Sequence, residues 1–284
     1  MVPGGLAGET DTVPDVAADQ PAYTIKGGRA DAARLARQAR VMAAATGAFL
    51  ERVGVEPGWR CLDVGCGDGQ VSLELARRVG PSGRVVGVDI DEDALEIARR
   101  SADEAGVQAE FARAEATEPP ERDSFDLAYT RLLLHHLSDP VGALRAMRSA
   151  VRPGGWVAVE DLFTGTLRSD PPAPALDRLQ EVFCATIRTH GGDPTIGPRL
   201  PALLASVGLE NVQETTVENP MSAFEDKLFL AELVDNMRAP MLASGAATAA
   251  GLDELRADLE RAARDPERVF HQARIHQVWG RRPA

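Results

Sequence analysis

Cysteine, lysine and tyrosine are scarce in this 284-residue chain, and long apolar runs are missing. Three cysteines, Cys61, Cys66 and Cys184, make neither a disulfide framework nor a CxxC pair. They read as small buried apolar residues, and the compartment as a reducing cytoplasm. Five scattered histidines show no metal-ligand spacing, so no resident metal is expected. No apolar stretch approaches the roughly 20 residues of a membrane span. Residues 1–20 lack the basic and apolar regions of a secretory signal. Positive charge is also short: 31 Lys and Arg face 43 Asp and Glu, a formal charge of −12. Such a chain repels phosphates, which argues against a nucleic acid or an anionic membrane as partner.

What remains is ordinary globular composition, 44% apolar and 26% charged, which excludes collagen-like and wholly disordered chains. A chain of this length buries roughly three quarters of its unfolded surface, so it needs no disulfide or metal to fold. Residues 1–21 carry Glu9, Asp11, Asp15 and Asp19 against no base, and read as a disordered acidic tail. The rest, 22–284, reads as one domain. A helix is expected from Arg29 to Val53, stopped by Gly54 and the Pro57-Gly58 pair. Strands are expected at Arg60–Val64, Arg84–Asp89, Ala109–Arg113, Phe125–Thr130 and Trp156–Asp161, alternating with helices. Asp91 and Asp139 stand at N-cap positions, the second followed by Pro140 at a first helical position. This alternation implies a parallel, doubly wound α/β sheet. After Thr166 it lapses. Leu200–Val207 reads as a helix, and Val212–Val217 and Ile275–Gly280 as strands. Residues 218–267 are helix-rich, with a capping box at Ser222 and Glu225.

The chemistry concentrates in Asp63-Val64-Gly65-Cys66-Gly67-Asp68-Gly69, where a strand meets a glycine loop that opens a helix. The glycines let the backbone turn sharply and let a ligand approach closely. The spacing is G-x-G-x-G, not the dinucleotide G-x-G-x-x-G. Asp63, Asp68 and, one strand over, Asp89 would repel a diphosphate. They would welcome a sulfonium, an ammonium group and a ribose diol, which together describe S-adenosylmethionine. Asp89 closes the second strand, where one carboxylate can accept from both ribose hydroxyls.

Four segments in order carry a resemblance: Leu62–Gly69, Val85-Val86-Gly87-Val88-Asp89, Phe125-Asp126-Leu127-Ala128 and Val151-Arg152-Pro153-Gly154-Gly155. With them the chain resembles the class I S-adenosylmethionine-dependent methyltransferases. It looks most like the small-molecule branch of ubiquinone, menaquinone and bacterial natural-product enzymes. The resemblance implies a Rossmann-like seven-stranded sheet whose last strand is antiparallel, with N-terminal helices and a helical substrate cap over 218–267. It implies that Gly65 and Gly67 line the methionine moiety, with Asp63 beneath the loop. Asp89 would hold the ribose and Ile90 would pack on the adenine. Glu115 and Ala116 would meet the adenine edge, and Thr130 and Arg131 the methionine carboxylate. Tyr23 would stack near the sulfonium, with Gln38 beside it.

Methyl transfer displaces a neutral thioether, so catalysis is chiefly alignment and exclusion of water. A base is needed only where the nucleophile must lose a proton. His135 and His136, just past the fourth strand, are the candidate bases, with His136 favoured. Asp161, at the end of the fifth strand, is a candidate for substrate contact. The expected partner is a small, partly hydrophobic acceptor, with a hydroxyl favoured and a homodimer allowed. The arginine-dominated, alanine-rich composition suggests a GC-rich bacterial source and natural-product tailoring. The alternative keeps the cofactor but catalyses cyclisation or rearrangement. A nucleic-acid methyltransferase is disfavoured by charge and by the lack of an Asn-Pro-Pro-Tyr-type segment.

Overall fold

The computed structural model describes residues 32–284, with side chains from residue 37 onward. The expected acidic tail, Tyr23 and the start of the first helix lie outside the described residues. The first half alternates regularly: α1 (Ala32–Val53), β1 (Arg60–Val64), α2 (Gln70–Val79), β2 (Arg84–Asp89), α3 (Glu92–Ala105), β3 (Glu110–Arg113), β4 (Phe125–Arg131), α4 (Pro140–Ala150) and β5 (Val151–Phe163). The second half adds β6 (Arg168–Asp170), α5 (Pro174–Thr189), α6 (Leu200–Ser206), β7 (Glu210–Val217) and β8 (Pro220–Met221). It continues with α7 (Phe224–Asn236), α8 (Arg238–Ala243), α9 (Ala249–Arg264), β9 (Val269–His271) and β10 (Arg274–Arg281).

Seven strands form one sheet in the order β3-β2-β1-β4-β5-β10-β7. β1 pairs in parallel with β2 and β4, whereas β10 runs antiparallel to both β5 and β7. The expected seven-stranded sheet with an antiparallel closing strand is therefore present. Central strands read as near-continuous apolar runs because helices bury both of their faces. Leu62, Val86, Ala128 and Val157 pack on the α4 and α6 side. Cys61, Val85, Leu127 and Ala158 alternate onto the α1 and α2 side, against Phe49 and Trp279.

The strand order reverses between β1 and β4, so a crevice opens at their carboxyl ends. Asp91 caps α3, accepting from Asp93 N and Ala94 N, as expected. Asp139 caps α4 by accepting from Gly142 N at 2.8 Å, with Pro140 behind it. Asp139→Ala should therefore lower stability by about 1 kcal/mol in a denaturant titration. A loss indistinguishable from zero would deny the cap its role.

One expectation is corrected. The Ser222–Glu225 capping box does not form: α7 begins at Phe224, Ala223 is its N-cap, and no side chain caps it. After Thr166, where the regular alternation does lapse, the chain also forms the 16-residue helix α5, which the sequence reading did not name. With α7, α8 and α9, α5 builds a second apolar cluster around Leu179, Phe183, Leu230, Met237 and Leu255. Lys227 crosses this cluster. It is 1% exposed and donates from Nζ to the carbonyls of Asp265 and Arg268, at 2.8 and 3.0 Å. Among the described residues no helix is long and apolar enough to cross a membrane.

Candidate functional site

Between the carboxyl ends of the strands and the second apolar cluster lies a cleft that is partly open to solvent. Its floor is the glycine loop. Gly65 has φ +69° and its backbone N–H donates to Val88 O at 2.8 Å, which ties the loop to β2. A Cβ here would stand 2.8 Å from Leu133 Cδ2. Gly67 has φ +53°, and a Cβ there would meet no heavy atom within 4 Å. The loop is thus left-handed at both positions, and open on the Gly67 side, as a close ligand approach requires.

Three carboxylates surround this floor. Asp63 is 2% exposed and accepts from Ser72 Oγ at 2.6 Å. Burial pushes its carboxyl up to about 6, against the pull of Ser72 and of the Arg131 guanidinium. Asp89 is also pushed up by burial, although Gly67 N and Asp91 N donate to its two oxygens at 2.9 and 3.0 Å. Each oxygen retains a lone pair for a ligand. Asp68 is the third carboxylate. Arg131, at the end of β4, lines the same end of the cleft and donates to Thr46 Oγ1 at 3.2 Å. Gln38, from α1, lines it too. A desolvated acid cluster with one nearby guanidinium suits a ligand carrying both cationic groups and a carboxylate, such as S-adenosylmethionine.

Past Arg131 the chain turns at Leu132, φ +54°, whose N–H donates to Glu160 O at 2.8 Å. That turn delivers a short 3₁₀ segment, Leu134–His136, to the cleft wall. The rings of His135 and His136 lie 3.8 Å apart, centroid to centroid. Asp161, fully buried on β5, faces His135: its Oδ1 is 2.7 Å from His135 Nδ1 and its Oδ2 accepts from His135 N at 3.1 Å. With Nδ1 engaged by a carboxylate, Nε2 is the ring nitrogen left to accept a proton. Behind this pair, buried Glu160 accepts from the Tyr129 hydroxyl and from Gln277 Nε2, the latter at 2.9 Å. Burial pushes the Tyr129 phenol well up, so it stays protonated.

Of the residues expected from sequence, Gln38, Asp63, Gly65, Gly67, Asp89, Arg131, His135 and His136 come together on the cleft. Thr130, Asp161, Ile90, Glu115 and Ala116 do not line it. Thr130 is buried and donates to Val64 O at 2.8 Å, which makes it a strand tie. Asp161 meets His135 instead of open space. Ala116 packs against the core and Glu115 is exposed. Sequence reading missed the far wall: Leu179, Gln180 and Phe183 of α5, and Gln272 before β10. The spacing of Leu176, Leu179, Phe183 and Ile187, after Pro174, carried the signal for α5. Among the described residues no three His, Cys, Asp or Glu side chains cluster as metal ligands.

A family model described as a methyltransferase domain matches residues 61–155. The chain is 35% identical over 172 residues to a ubiquinone biosynthesis O-methyltransferase of Bordetella bronchiseptica, covering 58% of this chain and 67% of that one. It is 34% identical over 173 residues to methyltransferase GfsG of Streptomyces halstedii, covering 60% and 59%. Against three other curated relatives the matched part is about half of their length or less. A structure of a methyltransferase-like protein from Bacillus halodurans superposes with a TM-score of 0.58 at 19% identity, covering 84% of this chain and 98% of that one. On these similarities the chain belongs to the class I S-adenosylmethionine-dependent methyltransferases.

Proposed function

We propose that this chain transfers the methyl group of S-adenosylmethionine to a hydroxyl oxygen of a small, partly apolar metabolite. The observation that carries the reading is a single cleft with an acid-rich glycine loop at one end and an Asp–His pair beside an apolar wall. When bound, the cofactor supplies an electrophilic methyl carbon on a positively charged sulfur. Asp89 accepts the ribose hydroxyls and Asp63 draws the ammonium end toward the loop. Arg131 and Gln38 hold the carboxylate. His135 takes the acceptor hydroxyl proton at Nε2 as the new O–C bond forms, and Asp161 stabilises the imidazolium through Nδ1–H. His136 lies tilted against it. The apolar wall excludes water. Likeness to relatives named for ubiquinone biosynthesis, and to one from Streptomyces, supports an acceptor from secondary or quinone-type metabolism.

The direct test incubates the protein with S-adenosylmethionine and a panel of hydroxylated metabolites, reading products by mass spectrometry. A methylated acceptor with one equivalent of S-adenosylhomocysteine is expected. Turnover of an acceptor without S-adenosylhomocysteine overturns the transfer and favours a cyclase-like role.

Cofactor affinity should also depend on pH. Asp63 carries a carboxyl raised from its ordinary range to about 6. Above that pH it is ionised and attracts an ammonium group; below it the proton removes the attraction. Affinity should therefore fall by up to about tenfold per pH unit below 6, and Asp63→Asn should flatten the profile. Calorimetry between pH 5 and 8 measures it, and a flat wild-type profile would refute the role of Asp63.

A further inference from the structure

Among the described residues, three that are not glycine have positive φ: Asp123, Asn211 and Leu132, at 52°, 52° and 54°. The first two are exposed, and their short polar side chains tolerate the left-handed region. Leu132 has no polar atom to offset the crowding of its Cβ against the backbone carbonyl, and glycine would take the same turn without that cost. The surroundings hold the turn in place. Its N–H donates to Glu160 O at 2.8 Å, and His135 N donates to Asp161 Oδ2 at 3.1 Å. A leucine kept on costly backbone needs a reason in its side chain. That reason is not core packing. Leu133 and Leu134 are buried in the cluster on the α4 and α6 side, whereas Leu132 is half-buried, belongs to none of the three apolar clusters and lines the cleft. It stands where the two ends of the cleft meet. Leu133 lies over Gly65 of the glycine loop, Arg131 precedes the turn on the cofactor side, and the His135–Asp161 pair follows it.

We propose that Leu132 is a specificity-determining residue whose side chain packs against the carbon frame of the acceptor, beside the reacting hydroxyl. The inference rests on the methyl-transfer reading only for calling that molecule the acceptor. A hydrocarbon surface at this point favours a hydroxyl carried on an apolar ring or chain. A polyhydroxylated or zwitterionic acceptor of equal size would lose hydration against it without compensation. The same surface keeps water from the place where the methyl carbon meets the oxygen. The turn that carries Leu132 is also the one that delivers His135, so a single bend positions both the acceptor and the base.

Two variants separate the backbone from the side chain. Leu132→Asn is close in size, suits the left-handed turn and removes the apolar surface. Leu132→Met keeps the apolar surface on the same costly backbone. Thermal melts of the full chain without ligand come first. Leu132→Asn should melt at or above wild type, because no core contact is lost and the turn is relieved. A melt lower by more than about 2 °C would make Leu132 a packing residue and overturn the proposal. Calorimetry with S-adenosylhomocysteine present then uses 2-naphthol as the probe, a neutral hydroxyl on an apolar ring system. Leu132→Met should bind it within about threefold of wild type, and Leu132→Asn about tenfold or more weakly. Equal 2-naphthol affinity in wild type and Leu132→Asn overturns the proposal, as does the lack of measurable binding to wild type. S-adenosylhomocysteine affinity should be the same in all three proteins, and a loss in Leu132→Asn would move the contact to the cofactor and overturn the acceptor role. Failure of wild type to bind S-adenosylhomocysteine would instead remove the methyl-transfer reading and leave the 2-naphthol comparison to stand by itself.

Discussion

Replacing Asp89 with Ala should abolish measurable S-adenosylmethionine binding. The carboxylate has two duties. It holds the glycine loop through Gly67 N at 2.9 Å and starts α3 through Asp91 N at 3.0 Å. It also lines the cleft, and in the proposed reading its remaining lone pairs take the two ribose hydroxyls. Hydrogen bonds to a charged group contribute about 1.5–3 kcal/mol each. Losing two toward the ligand therefore costs about 3–6 kcal/mol, roughly a hundredfold to ten-thousandfold in affinity. Asp89→Asn separates the duties, since its amide oxygen can still accept from one N–H. It should weaken binding less than Asp89→Ala and leave the melting temperature nearer to wild type. Calorimetry with both variants decides: near-normal affinity in the alanine protein would remove Asp89 from the cofactor site.

The second large effect belongs to His135. His135→Ala should reduce turnover on a hydroxyl acceptor by about 10²- to 10⁴-fold, the usual worth of a positioned base. Cofactor affinity should not change. Asp161→Asn should reproduce much of that loss without removing the imidazole. An amide cannot match the carboxylate that accepts from Nδ1, so the ring proton moves to Nε2, where it blocks proton uptake. The two changes should not add, because both disable one unit. Raising the pH should not rescue Asp161→Asn, since the defect is a tautomer and not a titration. The sequence favoured His136, and His136→Ala is the control that distinguishes the neighbours. A larger loss in His136→Ala than in His135→Ala would transfer the role.

The contrast between these histidines shows where sequence reasoning runs short. Asp63, Gly65, Gly67 and Asp89 could be read from one dimension because strand, loop and helix are contiguous, and because Asp89 closes the neighbouring strand. The parallel, doubly wound sheet followed from strands alternating with helices, and its antiparallel closing strand from the resemblance. Asp161 is another matter. Whether it faces a substrate or His135 depends on how the chain after Leu132 folds back over β5, a contact between residues 26 positions apart. Thr130 turned toward β1 for a similar reason, since alternation along β4 put its hydroxyl on Val64. Helix α5, which the sequence reading did not name, follows Pro171 and Pro172 and opens on Pro174, at a first-turn position proline tolerates. With α5 unread, Gln180 and the far wall were unread too.

The Asn219–Gln272 pair gives the architecture a further consequence. Those residues stand at the two ends of the long segment that contributes α7, α8 and α9, and two hydrogen bonds hold them together. The segment therefore leaves and re-enters through a pinned neck. Closing a chain between fixed points becomes only slightly less favourable with length, by about 0.6 kcal/mol for each doubling. Descendants of this chain could lengthen, trim or exchange the segment while the glycine loop, Asp89 and the Asp–His pair stayed in register. Diversification of the cap is then inexpensive in evolutionary terms, because its helices can change between ends that stay fixed.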